Sequence, residues 1–256
     1  MAQRTFSIVA NCTLLFAVFG PLVVLIFHAD QNFTFTSADR AALKFTLLQA
    51  ALSSLLSVLL AWPLALALSR RQFRGRRLLI VALSVPFILP VIVAILGLLS
   101  VFGNSGLLNS LLSFFGFPVF SIYGLSGVLL AHIFFNIPLA TRAFLLALER
   151  RPKELDRLAD GLNLNFLIRF WILDWPIVRL IAPQIFSLIF VLCLTSFAVV
   201  LTLGGGPKAT TLELAIYQSF RFELDFGRAA FLASIQLSIA ALTCVLSIII
   251  FGLPLN

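Results

Sequence analysis

The chain has 256 residues, 61% of them hydrophobic and only 11% charged, with 27 phenylalanines and a mean hydropathy of +1.10. A soluble domain is about 45–50% apolar and about 25% charged, so one aqueous core cannot hold this much apolar surface and lipid must be the solvent. The same numbers exclude intrinsic disorder. The net charge of +8 does not point to nucleic acid, because the arginines gather in short loops between apolar runs. That is the pattern of membrane orientation, not of a basic groove.

Six runs reach the roughly 17–25 apolar residues that cross a bilayer: about 6–28, 43–68, 78–102, 124–148, 180–203 and 229–251. The first reads as a retained span. "VANC" ending at Cys12 has the look of a lipoprotein cleavage box, but Asn11 stands where a small residue is needed and the apolar run continues beyond it. Cys12, Cys193 and Cys244 all lie in apolar runs and read as small hydrophobes. Prolines enter five spans, at Pro21, Pro63, Pro86 with Pro90, Pro138 and Pro183. Membranes tolerate such kinks where neighbours re-satisfy the freed carbonyls; a moving bundle and plain packing both account for them.

The loops set the topology. "SRRQFRGRR" holds Arg70, Arg71, Arg74, Arg76 and Arg77 with no acid, and residues 149–179 hold Arg150, Arg151, Lys153, Arg157, Arg169 and Arg179. The 103–123 loop has no charge. Around the start of the second span and after the fifth, Arg40, Lys44, Lys208, Arg221 and Arg228 are offset by Asp30, Asp39, Glu213, Glu223 and Asp225. The positive-inside rule then places both termini in the cytoplasm.

Within the spans, Arg142 is close enough to the cytoplasmic edge for its side chain to snorkel. His132 and Asn136, one turn apart, either line a path or hydrogen-bond to another helix, and Gln49 and Gln236 read the same way. His28 has no metal partner at ligand spacing, and no Ser/His/Asp or paired-carboxylate constellation falls in the spans. An intramembrane enzyme therefore has almost nothing to work with; a structural membrane protein stays open at this point.

The longest strongly polar stretch is residues 148–180, "LERRPKELDRLADGLNLNFLIRFWILDWPIVRL". Pro152 suits a first helical turn, and Lys153 to Leu162 reads as a short helix with Leu155, Leu158, Ala159 and Leu162 on one stripe. Gly161 and Asn163 tolerate positive φ and interrupt it; a second short helix covers about Asn165 to Leu173. The pair is either a docking surface for a soluble partner or a loop resting its apolar face on the bundle.

"LTLGGGPKATT", residues 201–211, suggests a phosphate cradle, but Pro207 separates the glycines from Lys208, no strand precedes them, and the segment faces outward. Gly204, Gly205 and Gly206 read instead as the end of the fifth span, with Pro207 preventing continuation.

Three stretches resemble a known family. The helix–turn–helix before the penultimate span is similar to the coupling loop of binding-protein-dependent ABC importer permeases, whose pattern is an acid, small residues, a glycine and a later proline. With Pro176 as that proline, Asn163 takes the glycine position and Arg157 the acid position; anchoring on Gly161 instead puts Leu155 at the acid position beside Glu154. The first register is preferred, because Asn substitutes for Gly at positive φ. "LTLGGGPKATTLELAIYQSFRFELDFGRAAFLAS" resembles the segment joining the last two spans of the same permeases, through Thr202, Gly204, Gly205, Gly206, Pro207, Thr211, Leu214 and Tyr217, then Phe226, Gly227, Ala229 and Ala230. With "ILPVIVAILGLLSVFG" and "GLSGVLLAHIFFNIPLATRAFLLALE", nearly the whole chain from about residue 40 looks like the first half of the thiamine / thiamine pyrophosphate ABC transporter permeases, which fuse two similar halves.

The resemblance implies an all-α integral membrane protein, a six-helix bundle of the type I ABC importer permease (MetI-like) kind over residues 1–256, in a bacterial inner membrane. It implies transport of thiamine or its phosphates, with ferric iron or another small solute as the alternative cargo, and no catalysis, cofactor or metal on this chain. A cytoplasmic ABC ATPase would dock on a loop at about 149–176, through Glu154, Arg157, Ala159, Asp160, Gly161 and Asn163. Gly204, Gly205, Gly206, Pro207, Thr211 and Tyr217 would shape an extracytoplasmic elbow. A periplasmic substrate-binding protein would deliver cargo there, and a second permease half or a second copy would complete the path. Substrate contacts are not assigned.

Overall fold

Thr36 opens the helix Ser37–Arg70 by a reciprocal cap: its hydroxyl accepts from the Asp39 amide at 3.1 Å, while the Asp39 carboxylate accepts from the Thr36 amide at 3.0 Å. The computed structural model describes residues 35–206 and 209–251, with Gly20, Val24 and Phe27 besides. Apart from those three, the expected span at 6–28, with Cys12, Pro21 and His28, lies outside the described residues, as do Pro207 and Lys208.

Helix α1 (Ser37–Arg70) turns Ala42, Thr46, Gln49, Ala50, Ser53, Ser57, Ala61 and Ala65 inward, while Leu48, Leu55, Leu59 and Leu60 are exposed. Small and polar residues recur every three or four positions on the buried face, and the bulky apolar ones look outward. Such polarity is expected where lipid surrounds the bundle, because small side chains let helices approach closely. Against this face pack α6 (Leu125–Glu149) and α9 (Trp175–Leu194), sharing a core that includes Ala140, Phe144 and Ile189.

The run expected as one span at 78–102 is three helices: α2 (Arg76–Ala82), α3 (Val85–Ile88) and α4 (Val91–Phe102). Pro86 and Pro90 explain the breaks, since proline has no amide hydrogen to continue a ladder and disfavours helix in the residue before it. A short helix, α5 (Leu107–Phe114), follows in the uncharged loop. Asn109 knots that loop, donating to the carbonyls of Gly103 at 2.9 Å and Phe120 at 2.8 Å.

Beyond α6 come α7 (Lys153–Gly161) and α8 (Phe166–Arg169), then a π-helical turn (Phe170–Asp174) that runs directly into α9. The expected span 180–203 is also interrupted. Helix α9 ends at Leu194 and α10 (Phe197–Leu203) starts after Ser196. Two more helices, α11 (Leu212–Arg221) and α12 (Phe226–Phe251), complete the described chain, which contains no strand. Five segments among the described residues are long and apolar enough to cross a membrane: Ser37–Arg70, Val91–Phe114, Leu125–Glu149, Phe166–Leu194 and Phe226–Ile250.

Candidate functional site

Five buried polar side chains, Gln49, Ser53, His132, Asn136 and Gln236, gather at the break between α9 and α10. A helix end leaves its last carbonyls without intrahelical partners, and lipid offers no water to satisfy them. Two glutamines do so instead. Gln49 of α1 donates to the Cys193 carbonyl at 2.9 Å, and Gln236 of α12 donates to the Leu194 carbonyl at 3.2 Å. Gln236 also bonds the Glu213 carboxylate of α11. Beside the break, His132 of α6 is held from both sides: Nδ1 lies 3.0 Å from Ser53 Oγ and Nε2 lies 2.8 Å from Ser196 Oγ. One turn along α6, Asn136 donates to Cys193 Sγ at 3.3 Å. His132, Phe135, Asn136, Thr195, Ser196 and Phe197 border a cavity of about 400 Å³.

On one side of the break, α10 leads into the glycine elbow. The Leu203 carbonyl accepts from the Gly124 amide at 2.7 Å, tying the elbow to the start of α6. Gly204 keeps a helical conformation with φ −60°, whereas Gly205 and Gly206 take φ +74° and +113°. A Cβ on Gly205 would sit 3.0 Å from Tyr123 Cβ, so both its φ and its close approach require glycine there. Thr211 caps α11, and the next amide, Leu212, donates to Thr46 Oγ1 of α1 at 2.8 Å. Tyr217 packs its ring on Phe197 with centroids 4.8 Å apart. Nearby, Arg228 joins Asp39 at 2.9 Å and Glu223 at 2.8 Å, linking the first turns of α12 and α1.

The arginine-rich end presents α7. The Leu164 amide reaches back to the Ala159 carbonyl at 3.1 Å and the Asn163 amide to the Asp160 carbonyl at 3.1 Å, with Asn163 at φ +49°. These are the paired bonds that close a helix on a left-handed residue, a position glycine usually fills. Gly161 is still helical. Leu155, Leu158 and Leu162 stand 40%, 62% and 71% exposed, so the apolar stripe does not rest on the bundle. Ala159 alone of that stripe is buried.

In sequence, the chain is 47% identical over 218 residues to the thiamine transport system permease protein ThiP of Brucella melitensis, a match covering 84% of this chain and 40% of that protein. It is 49% identical over 195 residues to ThiP of Escherichia coli, covering 76% of this chain and 36% of that one. The chain belongs to the ABC importer permeases. It spans less than half the length of the ThiP proteins it matches. The fold agrees with a chain of a bacterial alginate ABC transporter, solved in complex with an alginate-pentasaccharide-bound periplasmic protein. That match has a TM-score of 0.76 at 18% identity, covering 97% of this chain and 95% of the other. No protein-family model matches.

Among the residues of this permease read from sequence, Glu154, Arg157, Asp160, Gly161 and Asn163 are all exposed on α7 and its closing turn. Ala159 is buried, so its side chain is not available to a partner. Gly204, Gly205 and Gly206 follow α10, Thr211 caps α11 and Tyr217 packs on Phe197 of α10, whereas Pro207 lies outside the described residues. The alternatives for His132 and Asn136 turn out to be compatible, since both bond across helices and both border the cavity. Arg142 is exposed and donates to Ser84 Oγ at 2.5 Å.

Sequence reading missed three features of the permease. Ser53 and Ser196, which hold His132, were not singled out, although small residues recurring along α1 signalled a helix contact. The break at Thr195–Ser196 carries no proline or glycine, so nothing local announces it. Asp174, fully buried between two arginines, passed as part of an ordinary loop motif.

Proposed function

We propose that this permease is the membrane subunit of an ATP-driven, binding-protein-dependent importer for thiamine or thiamine phosphates, in a bacterial inner membrane. Both termini face the cytoplasm, following the arginine-rich loops. The reading is carried by 47% identity over 84% of the chain to a thiamine transport permease. Leu155, Leu158 and Leu162 on α7 form the surface on which the cytoplasmic ATPase docks, and a periplasmic binding protein releases cargo near the elbow. A second permease half, fused or separate, or a second copy completes the path. The chain performs no chemistry of its own; ATP hydrolysis belongs to the docked subunit.

The cargo passes the broken helix. An interrupted transmembrane helix presents the negative end of a helix dipole to a cation. Here the C-terminal end of α9 meets a cavity bordered by Phe135 and Phe197, with His132 and Asn136 beside them. Aromatic faces suit both rings of thiamine, the thiazolium cation included, and the polar groups suit its aminopyrimidine.

Labelled thiamine uptake into vesicles containing this permease, its ATPase and its binding protein tests the reading. ATP-dependent accumulation, displaced by unlabelled thiamine or thiamine pyrophosphate and not by sulfate or ferric iron, is the expected result. Accumulation of a different solute in its place would remove thiamine from the account.

A further inference from the structure

Asp174 ends the π-helical turn at the mouth of α9 and is fully buried. Two guanidinium groups meet it there. Arg70, the last residue of α1, bonds one carboxylate oxygen, and Arg151, from the bend between α6 and α7, bonds the other at 2.8 Å. Arg151 also holds Asp156 of α7 at 2.6 Å. Asp156 and Asp160 in turn hold Arg169 of α8, each at 2.7 Å. Arg70 additionally lies 4.6 Å from the centre of the Phe166 ring. Three arginines and three aspartates thus run as one line of ion pairs from the exposed helix α7 to the ends of α1 and α9.

We propose that Asp174 is the positioning residue through which movement of α7 reaches α1 and α9, the helices that meet at Gln49 and Cys193 beside the Thr195–Ser196 break. The proposal rests on the importer reading above. A buried carboxylate cannot part from its cations without a large desolvation cost. The end of α1, the root of α7 and the mouth of α9 are therefore tied to one another through this group rather than free to slide separately. The π-helical turn supplies the adaptable element: its wider hydrogen-bond ring recurs at functional sites in helices. A change between π and α winding at 170–174 would alter the register of α9, and with it the setting of the break.

A merely stabilising Asp174 makes a different prediction from a transmitting one. The quantity that separates them is thiamine moved per ATP hydrolysed, in proteoliposomes holding the permease with its ATPase, its binding protein and any further permease segment. Asp174→Asn keeps the shape and removes the charge. Assembly and ATP hydrolysis should persist while the transport ratio falls by about tenfold, within the range of ordinary coupling effects. An unchanged ratio, with both rates preserved or both reduced together, overturns the proposal. If Asp174→Asn fails to assemble, Asp156→Asn decides: it loosens α7 from Arg151 and leaves Asp174 paired with Arg70 and Arg151. Its ratio should fall by about fivefold, and an unchanged ratio is again fatal. The wild-type complex is read in parallel; its failure to import thiamine would count against the importer reading and is independent of either variant.

Discussion

The side-chain amide of Gln49 donates to the main-chain carbonyl of Cys193 at 2.9 Å, across 144 residues of sequence. Gln236 does the same for the neighbouring carbonyl of Leu194. A helix is thus stopped inside the bundle and its exposed end is satisfied by side chains of two other helices. The cavity beside His132 opens at this break.

Gln49→Leu fills similar space and leaves the Cys193 carbonyl without its donor. An orphaned buried acceptor costs about 1–3 kcal/mol, so thermal unfolding of the purified permease in detergent should shift to lower temperature. Gln236→Leu should act in the same direction. An unshifted transition in both variants would show that the break needs no cap.

His132→Phe removes the bonds to Ser53 and Ser196 while keeping a ring at the cavity wall. Two hydrogen bonds at about 1 kcal/mol each correspond to roughly a tenfold or greater loss if the cargo or the moving helix uses them. Thiamine uptake should fall by that order with the protein still inserted and assembled. Wild-type uptake would place the path elsewhere in the bundle.

Two glycines make opposite predictions. Gly205→Ala places a methyl group 3.0 Å from Tyr123 Cβ at φ +74°, and the left-handed conformation alone costs about 1–2 kcal/mol. Gly161 is helical and its Cβ would meet open space, so Gly161→Ala should stabilise by up to about 1 kcal/mol. Unfolding temperatures of the two variants, measured side by side, should move apart in those directions.

Leu158→Asp places a charge in the middle of the exposed stripe, where the side chain is 62% exposed. Insertion should be unaffected, and co-purification of the ATPase should be lost. Asn163→Gly should leave assembly intact, whereas Asn163→Val forces a β-branched residue to φ +49° at a cost of about 1–2 kcal/mol or more. Retained ATPase in both Leu158→Asp and Asn163→Val would move the docking face off α7.

The helical class and the segments near 43–68, 124–148 and 229–251 were legible because long apolar runs have few alternatives in lipid. So was the turn at Asn163, since a short polar side chain following a helix marks a left-handed position. The two interrupted spans were not. Pro86 and Pro90 suit a kinked span as well as a broken one, because sequence does not tell whether neighbours restore the lost bonds. At Thr195 and Ser196 the helix stops where Gln49 and Gln236 take its last carbonyls and His132 meets the Ser196 hydroxyl, and those partners arrive from helices distant in sequence. Asp174 was hidden for the same reason: its arginines come from 104 and 23 residues away.

The central claim is that this chain is the translocating part of an importer driven from α7, and ATP hydrolysis by the assembled complex tests it most directly. The permease is purified in mild detergent with its ATPase and any further permease segment, reconstituted, and assayed with binding protein in the presence and absence of thiamine. The account predicts co-purification of the ATPase and a hydrolysis rate that rises when thiamine-loaded binding protein is added, with the rise abolished by Leu158→Asp. A chain that purifies without an ATPase under conditions that keep other importers assembled, or a rate indifferent to loaded binding protein, would contradict it.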